Sequence, residues 1–171
     1  APLAWERVHV ILTDERWVPQ DDAQSNAALI KKRLLTGAAA AARFTPYFSA
    51  TSQIAQAAAD LSVELEALLP IDVLLLGMGA DMHTASLFPE AAGLDAALSQ
   101  DAPMFLPVTV SGHAAPRFSL TAPAFSGARA THVLITGAQK RTALEQATTL
   151  PPEQAPIALV LDTATIHWSV E

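Results

Sequence analysis

The chain has 171 residues, a formal charge of −7 from 17 acidic and 10 basic residues, and no cysteine. Hydrophobic residues make up 51% and charged residues 16%, against a usual charged share of about 25%, which argues against disorder and against a coiled coil. No disulfide framework, thiolate metal site or Cys nucleophile is available, and without a basic tract a nucleic-acid role has no support.

In chain order, Val8-His9-Val10-Ile11-Leu12 is a β-branched run that reads as a buried strand, with Thr13-Asp14-Glu15-Arg16 at its carboxyl end. Trp17-Val18-Pro19 leaves as a loop. Asp21, Asp22 or Ser25 caps a helix running to about Leu35, with Gly37 just beyond it. Residues 38–42 are ambiguous between helix and loop. Ser52 to Leu69 is the clearest helix, because Ile54, Ala58, Leu61, Leu65 and Leu68 form one apolar stripe. Pro70 ends it.

Ile71 to Leu76 then reads as a strand in the middle of a parallel sheet covered on both faces. Further strands are expected at Met104 to Val110, Arg117 to Thr121 and His132 to Thr136, and a helix at Lys140 to Thr148. Pro151, Pro152 and Pro156 break the chain. Thr165 to Val170 alternates, with Ile166, Trp168 and Val170 on one face, as in an edge strand. The alternation predicts one α/β domain over residues 1–171, with a mostly parallel sheet and helices on both faces. No run is long enough to span a bilayer, and no n-region and h-region signal opens the chain. The start at Ala1-Pro2-Leu3, without Met, is read as a processed chain or a fragment.

Ligands of such sheets sit at strand carboxyl ends, where Asp14-Glu15-Arg16, Gly77 to His83 and Gly137 to Lys140 are all expected. The most informative stretch is Gly77-Met78-Gly79-Ala80-Asp81-Met82-His83-Thr84-Ala85-Ser86-Leu87-Phe88-Pro89. Gly77 and Gly79 permit a tight turn and close approach of backbone to a ligand. His83 is expected where a helix begins, where an imidazole can act as general base near neutral pH. Asp81 can orient it or meet a sugar hydroxyl, and Thr84 and Ser86 add hydroxyls. An isolated G-x-G is a weak signal; the crowding of Asp, His, Thr and Ser after a buried strand is what turns the reading toward function.

Arg16 suits a phosphate or carboxylate, although a solvated charge cluster is the plainer reading of residues 13–16. Ser25-Asn26 has the composition of a helix cap. Arg117 and Lys140 are the bases best placed for a buried anion, and a few such groups suffice against an acidic background. Lys31, Lys32 and Arg33 read as a solvated helix face. His9, His113, His132 and His167 read as structural or surface residues, and no set of them has zinc-ligand spacing. Trp5, Trp17 and Trp168 read as packing, with Trp17 left open for the site.

Two stretches, LTDERWVPQDDAQSN from Leu12 to Asn26 and LLLGMGADMHTASLFP from Leu74 to Pro89, together resemble the 6-phosphogluconolactonases of the glucosamine-6-phosphate isomerase/6-phosphogluconolactonase family. PRFSLT from Pro116 to Thr121 and GAQK from Gly137 to Lys140 follow in the family's order. The resemblance covers essentially the whole chain. It implies a Rossmann-like sheet of the sugar-phosphate isomerase/deaminase type and hydrolysis of 6-phospho-D-glucono-1,5-lactone in the oxidative pentose phosphate pathway. It further implies a cytoplasmic enzyme with no cofactor and no metal, acting on a small sugar-phosphate lactone, with a monomer favoured.

His83 then corresponds to the catalytic histidine, activating water, with Asp81 and Arg16 beside it. Asp14, Asn26, Gly77, Gly79, Thr84, Ser86, Arg117 and Lys140 become the substrate and phosphate contacts. Two departures stand out. Met82 occupies a position usually held by Gly, so a positive φ there would strain it. Relatives also begin earlier, with a strand, a Gly-Gly-Ser-Thr-Pro-type loop and a helix, so the chain is expected to be an N-terminally incomplete domain. A deaminase or isomerase of amino-sugar phosphates and a catalytically silent sugar-phosphate-binding module are the alternatives.

Overall fold

The computed structural model describes residues 3–110, 112 and 115–170; His113 lies outside them. The long first strand expected at residues 8–12 is only β1 (His9–Val10), which pairs in parallel with β3 (Arg43–Phe44). Leu12 ends that segment, because Tyr47 Oη donates to its carbonyl at 2.7 Å and accepts from its N–H at 2.9 Å. The charged run that follows is itself a strand, β2 (Asp14–Arg16), rather than a strand end. Its residues are poor strand formers, so pairing with a hydrophobic partner holds it extended. That partner is β6 (Arg117–Leu120), antiparallel to both β2 and β5 (Phe105–Val108).

Helix α1 (Asn26–Arg33) starts at Ser25, whose Oγ accepts the Ala28 N–H. Asp22 instead accepts the Gln24 N–H in a local turn. Residues 37–41 form a short 3-10 helix. α2 (Ile54–Leu65) buries Ala57, Ala58, Leu61 and Leu65, and one 3-10 turn to Leu68 completes the predicted stripe. Ser62 ties α2 to β5 by accepting the Phe105 N–H at 3.0 Å.

β4 (Leu74–Gly77), β7 (Thr131–Thr136) and β8 (Thr165–Ser169) form a parallel sheet in the order β4-β7-β8. Leu74, Leu76, Val133 and Ile135 face the core, and α5 (Ala138–Ala147) packs on β7. The α/β class holds, and among the described residues one face of β4 is covered. Alternation leaves Leu75 on β4 58% exposed, and Leu134, opposite Gly77 on β7, 54%. On that face His132 Nδ1 and His167 Nε2 lie 3.0 Å apart.

Short helices α3 (Leu94–Leu98), α4 (Ala122–Phe125) and α6 (Ala158–Leu161), too brief for a periodicity signal, complete the chain. The core joins Leu12, Leu65, Leu74, Phe105, Phe118 and Val133. Phe105 and Phe118 are fully buried, and each such side chain contributes about 1.5–3 kcal/mol by burial. Among the described residues no helix is long and apolar enough to cross a membrane.

Candidate active site

Side chains alternate across a strand, so β2 sends Glu15 one way and Asp14 and Arg16 the other. Register places Asp14 opposite Ser119, Glu15 opposite the buried Phe118, and Arg16 opposite Arg117. Two guanidiniums are thus neighbours on adjacent strands, which is unfavourable by itself and favourable around an anion. Arg117 is only 8% exposed. Burial first, then the charge of Arg16, pulls its guanidinium below the ordinary value, while Asp14 opposes the shift; an arginine stays charged nonetheless.

Asp14, Asn26 and Arg16 are tied together. Asn26 Nδ2 donates to the Asp14 carbonyl at 3.0 Å, and Arg16 Nη1 donates to Asn26 Oδ1. Ser86 Oγ donates to Asp14 Oδ2 at 2.6 Å and so brings the loop after β4 onto β2, 72 residues away. The Ser86 N–H donates to Ser119 Oγ on β6.

That loop does not become a helix at His83, contrary to expectation. It closes on itself: Gly79 N–H donates to the His83 carbonyl and Met82 N–H to the Gly79 carbonyl, both at 3.0 Å. An isolated bridge pairs Thr84 with Leu87, and no helix follows before Leu94. Three residues other than glycine take positive φ here, Met82 at 67°, Ala85 at 51° and Glu90 at 58°. Such strain persists only where surrounding contacts over-determine the backbone. For Met82 those contacts include the Ile157 N–H, which donates to its carbonyl.

Replacing Met82 by Gly removes a left-handed penalty of about 1–2 kcal/mol. It adds about 0.4–1 kcal/mol of unfolded-state entropy and loses a half-buried side chain. Met82→Gly is therefore expected to stay within about 1 kcal/mol of the parent in urea melts, because the gain and losses nearly cancel.

Asp81 Oδ1 lies 2.6 Å from His83 Nδ1 and 3.3 Å from the His83 N–H. Burial alone would raise the Asp81 carboxyl, but the hydrogen bond and charge of His83 outweigh it and hold it below its ordinary 3.8. An ionised carboxylate only accepts, so Nδ1 carries the proton and Nε2 is left as the basic nitrogen. A depressed carboxyl stabilises the fold above its unfolded value and loses that contribution as pH falls through the folded one. The stability difference between the parent and Asp81→Asn, read from urea melts, is expected to shrink as pH falls below 3.8 and the Asp81 carboxyl takes up its proton. It will be small, since Asp81 is 53% exposed.

The His83 ring stacks on Phe88 with centroids 4.0 Å apart and planes 20° apart, and the Arg117 guanidinium lies 5.7 Å from the same ring. Phe88 thus links the imidazole to the arginine pair. Sequence reasoning assigned Phe88 no role, and Ser119 and Glu15 were missed as well. The in-turn spacing of Phe88 from His83 is a signal only once the loop's closure is known.

Among the expected residues, Asp14, Arg16, Asn26, Ser86 and Arg117 come together, and Asp81 and His83 join them through Phe88. Gly79 lies beneath the imidazole. Thr84 and Ser86 are fully buried and donate their hydroxyls to the Gly77 carbonyl and to Asp14, so they brace the loop. Lys140 stands in the first turn of α5 after β7, the neighbour of β4, and no hydrogen bond or ion pair among the described residues joins it to the group. Trp17 packs between Phe48 and Phe118. A recessed volume of about 610 Å³ elsewhere, lined by Leu98, Phe125, Leu159 and their neighbours, carries no titratable side chain. No group of three or more His, Cys, Asp or Glu among the described residues could hold a metal ion.

The family model for glucosamine-6-phosphate isomerases/6-phosphogluconolactonase matches residues 1–168. The chain belongs to this family. Over 171 residues it is 40% identical to 6-phosphogluconolactonase from Pseudomonas aeruginosa, covering 98% of this chain and 72% of that one. It is 42% identical over 165 residues to the 6-phosphogluconolactonase of Mesorhizobium japonicum, covering 95% and 69%.

Among solved structures, a 6-phosphogluconolactonase from Shewanella baltica superposes with a TM-score of 0.92 at 31% identity, covering 99% of this chain and 75% of that one. A monomeric glucosamine-6-phosphate deaminase, at 14% identity and a TM-score of 0.77 over 97% of this chain and 73% of its own, shares the fold.

Proposed function

We propose that the protein hydrolyses 6-phospho-D-glucono-1,5-lactone to 6-phospho-D-gluconate in the oxidative pentose phosphate pathway, in the cytoplasm and without a cofactor. The Asp81–His83 pair at 2.6 Å, joined through Phe88 to the opposed Arg16 and Arg117, carries the reading. A lactone needs a base for water and a cation for its phosphate, and both are present. One buried cluster from Leu12 to Val160 supports a single domain over residues 1–171, and we take it to act as a monomer.

Water attacks the lactone carbonyl as His83 Nε2 takes its proton, with Asp81 holding Nδ1–H and stabilising the imidazolium that forms. The oxyanion is stabilised by Arg16 or by backbone N–H groups. The tetrahedral adduct collapses, the bond from the carbonyl carbon to the ring oxygen breaks, and His83 returns its proton to that oxygen. Arg117 and Lys140 hold the phosphate, and Asp14 and Asn26 meet sugar hydroxyls. Gly77, Thr84 and Ser86 support the loop beneath.

The test is hydrolysis of freshly generated 6-phosphogluconolactone, with the spontaneous opening subtracted. A rate above background is expected. Binding of 6-phosphogluconate without turnover would overturn the reading in favour of a silent binding module. Ammonia release from glucosamine 6-phosphate would overturn it in favour of a deaminase.

A further inference from the structure

Glu15 is a carboxylate only 2% exposed, on the face of β2 opposite Asp14 and Arg16. Both of its oxygens are used twice. Oε1 accepts the N–H of Arg16 and of Asn26, each at 2.8 Å. Oε2 accepts the Ser25 hydroxyl at 3.1 Å and the Ala27 N–H at 2.8 Å. A desolvated charge survives only with such complete pairing.

Part of this is capping of α1: Ser25 accepts the Ala28 N–H, and Glu15 takes the Asn26 and Ala27 N–H groups of the same first turn that Ser25 leaves. What the carboxylate alone does is join the backbone of a strand residue, Arg16, to that of a helix residue, Asn26. The side chains of those two residues then meet, Nη1 to Oδ1, on the other face. Asn26 in turn holds Asp14.

We infer that Glu15 is a positioning residue of the candidate active site: its buried carboxylate locks Arg16 and Asn26 into one geometry, so that the guanidinium meets the reacting lactone without reorganising. The inference rests on the proposed hydrolysis for its consequence, but the geometry it asserts is measurable without turnover. A site group displaced by about 1 Å can lose on the order of 100-fold in rate. Glu15→Gln presents an NH2 to amide donors that need an acceptor. Glu15→Asp keeps the charge but withdraws it by one methylene from the Asn26 and Ala27 amides, and serves if the Gln variant fails to fold.

The experiment combines lactone kinetics with NMR of the Arg16 Nε–H and Asn26 Nδ2 resonances, using the Trp168 indole N–H, bonded to the Gly137 carbonyl, as a remote reference. In the folded variant kcat is expected to fall about tenfold or more with KM little changed. The Arg16 and Asn26 signals are expected to move while Trp168 stays in place. Unmoved Arg16 and Asn26 signals in a folded variant would overturn the inference. So would an activity loss that only tracks the unfolded fraction, with Trp168 shifting alongside. If the parent protein shows no lactone hydrolysis, the proposed function fails, and the NMR readout still decides the role of Glu15.

Discussion

His83→Ala is expected to lower kcat for 6-phosphogluconolactone hydrolysis by about 10²–10⁴-fold, the range a positioned general base contributes. No neighbour can substitute for it. Asp81 is held below the ordinary carboxylate range and is too weak a base to take a proton from water near neutral pH. The buried hydroxyls of Thr84 and Ser86 are already donated to Gly77 and Asp14.

The fold should tolerate the change. His83 is partly exposed, and the two backbone bonds that close its loop, one of them to its own carbonyl, need no imidazole. Stability is therefore expected to change by no more than about 1 kcal/mol, as for a substitution that leaves the core intact. Initial rates corrected for spontaneous opening, alongside thermal melts, would check both halves. A variant that retained its rate to within a few-fold would remove His83 from the role of base.

Gly79→Ala is expected to lower kcat by about 10²-fold through the same two side chains, because displacing a catalytic group by about 1 Å can lose that much. A Cβ on Gly79 would fall 2.2 Å from His83 Nδ1 and 2.3 Å from Asp81 Oδ1, distances no real contact allows. The obstructing atoms are side-chain atoms rather than backbone, so the loop can relieve the clash by swinging the imidazole and carboxylate away. The variant should stay folded and lose the Asp81–His83 bond. By contrast, Gly77 has open space where its Cβ would go, so Gly77→Ala is the matched control. Kinetics of the two alanine variants, with the His83 ring NMR signals as the structural readout, would separate them. Equal rates for both would show that the imidazole does not need the floor that Gly79 provides.

Much of the secondary structure was legible because its signals are local. The apolar stripe of α2 follows the helical period, Ser25 carries a cap's chemistry, and the alternation of residues 165–170 marks β8 as an edge. Residues 8–16 were misread for a physical reason. A β-branched run looks like a long strand whatever it pairs with, whereas Asp14-Glu15-Arg16 is extended only because β6 pairs with it. Residues 71–76 have a similar limit: an apolar run does not say which of its faces receives a cover.

The sequence by itself determined which acid and base can stand as neighbours in the candidate site. Asp81 and His83 stand two residues apart on a glycine-bounded loop after a hydrophobic strand, and at that spacing a tight turn suffices to bring carboxylate and imidazole together. Only the tertiary structure decided what stands beside them. Arg16 and Arg117 are a hundred residues apart in the chain and meet through antiparallel register; Ser86 reaches Asp14 across 72 residues. Phe88 gains its place between imidazole and guanidinium from the closure of its loop, and Met82 its left-handed backbone from the same closure. Glu15, one more acid in a charged run when read along the chain, is buried because the strand's two-residue alternation turns it inward. Local spacing fixes what neighbours can do to one another, while strand register and burial are set by contacts whose partners no window of sequence contains.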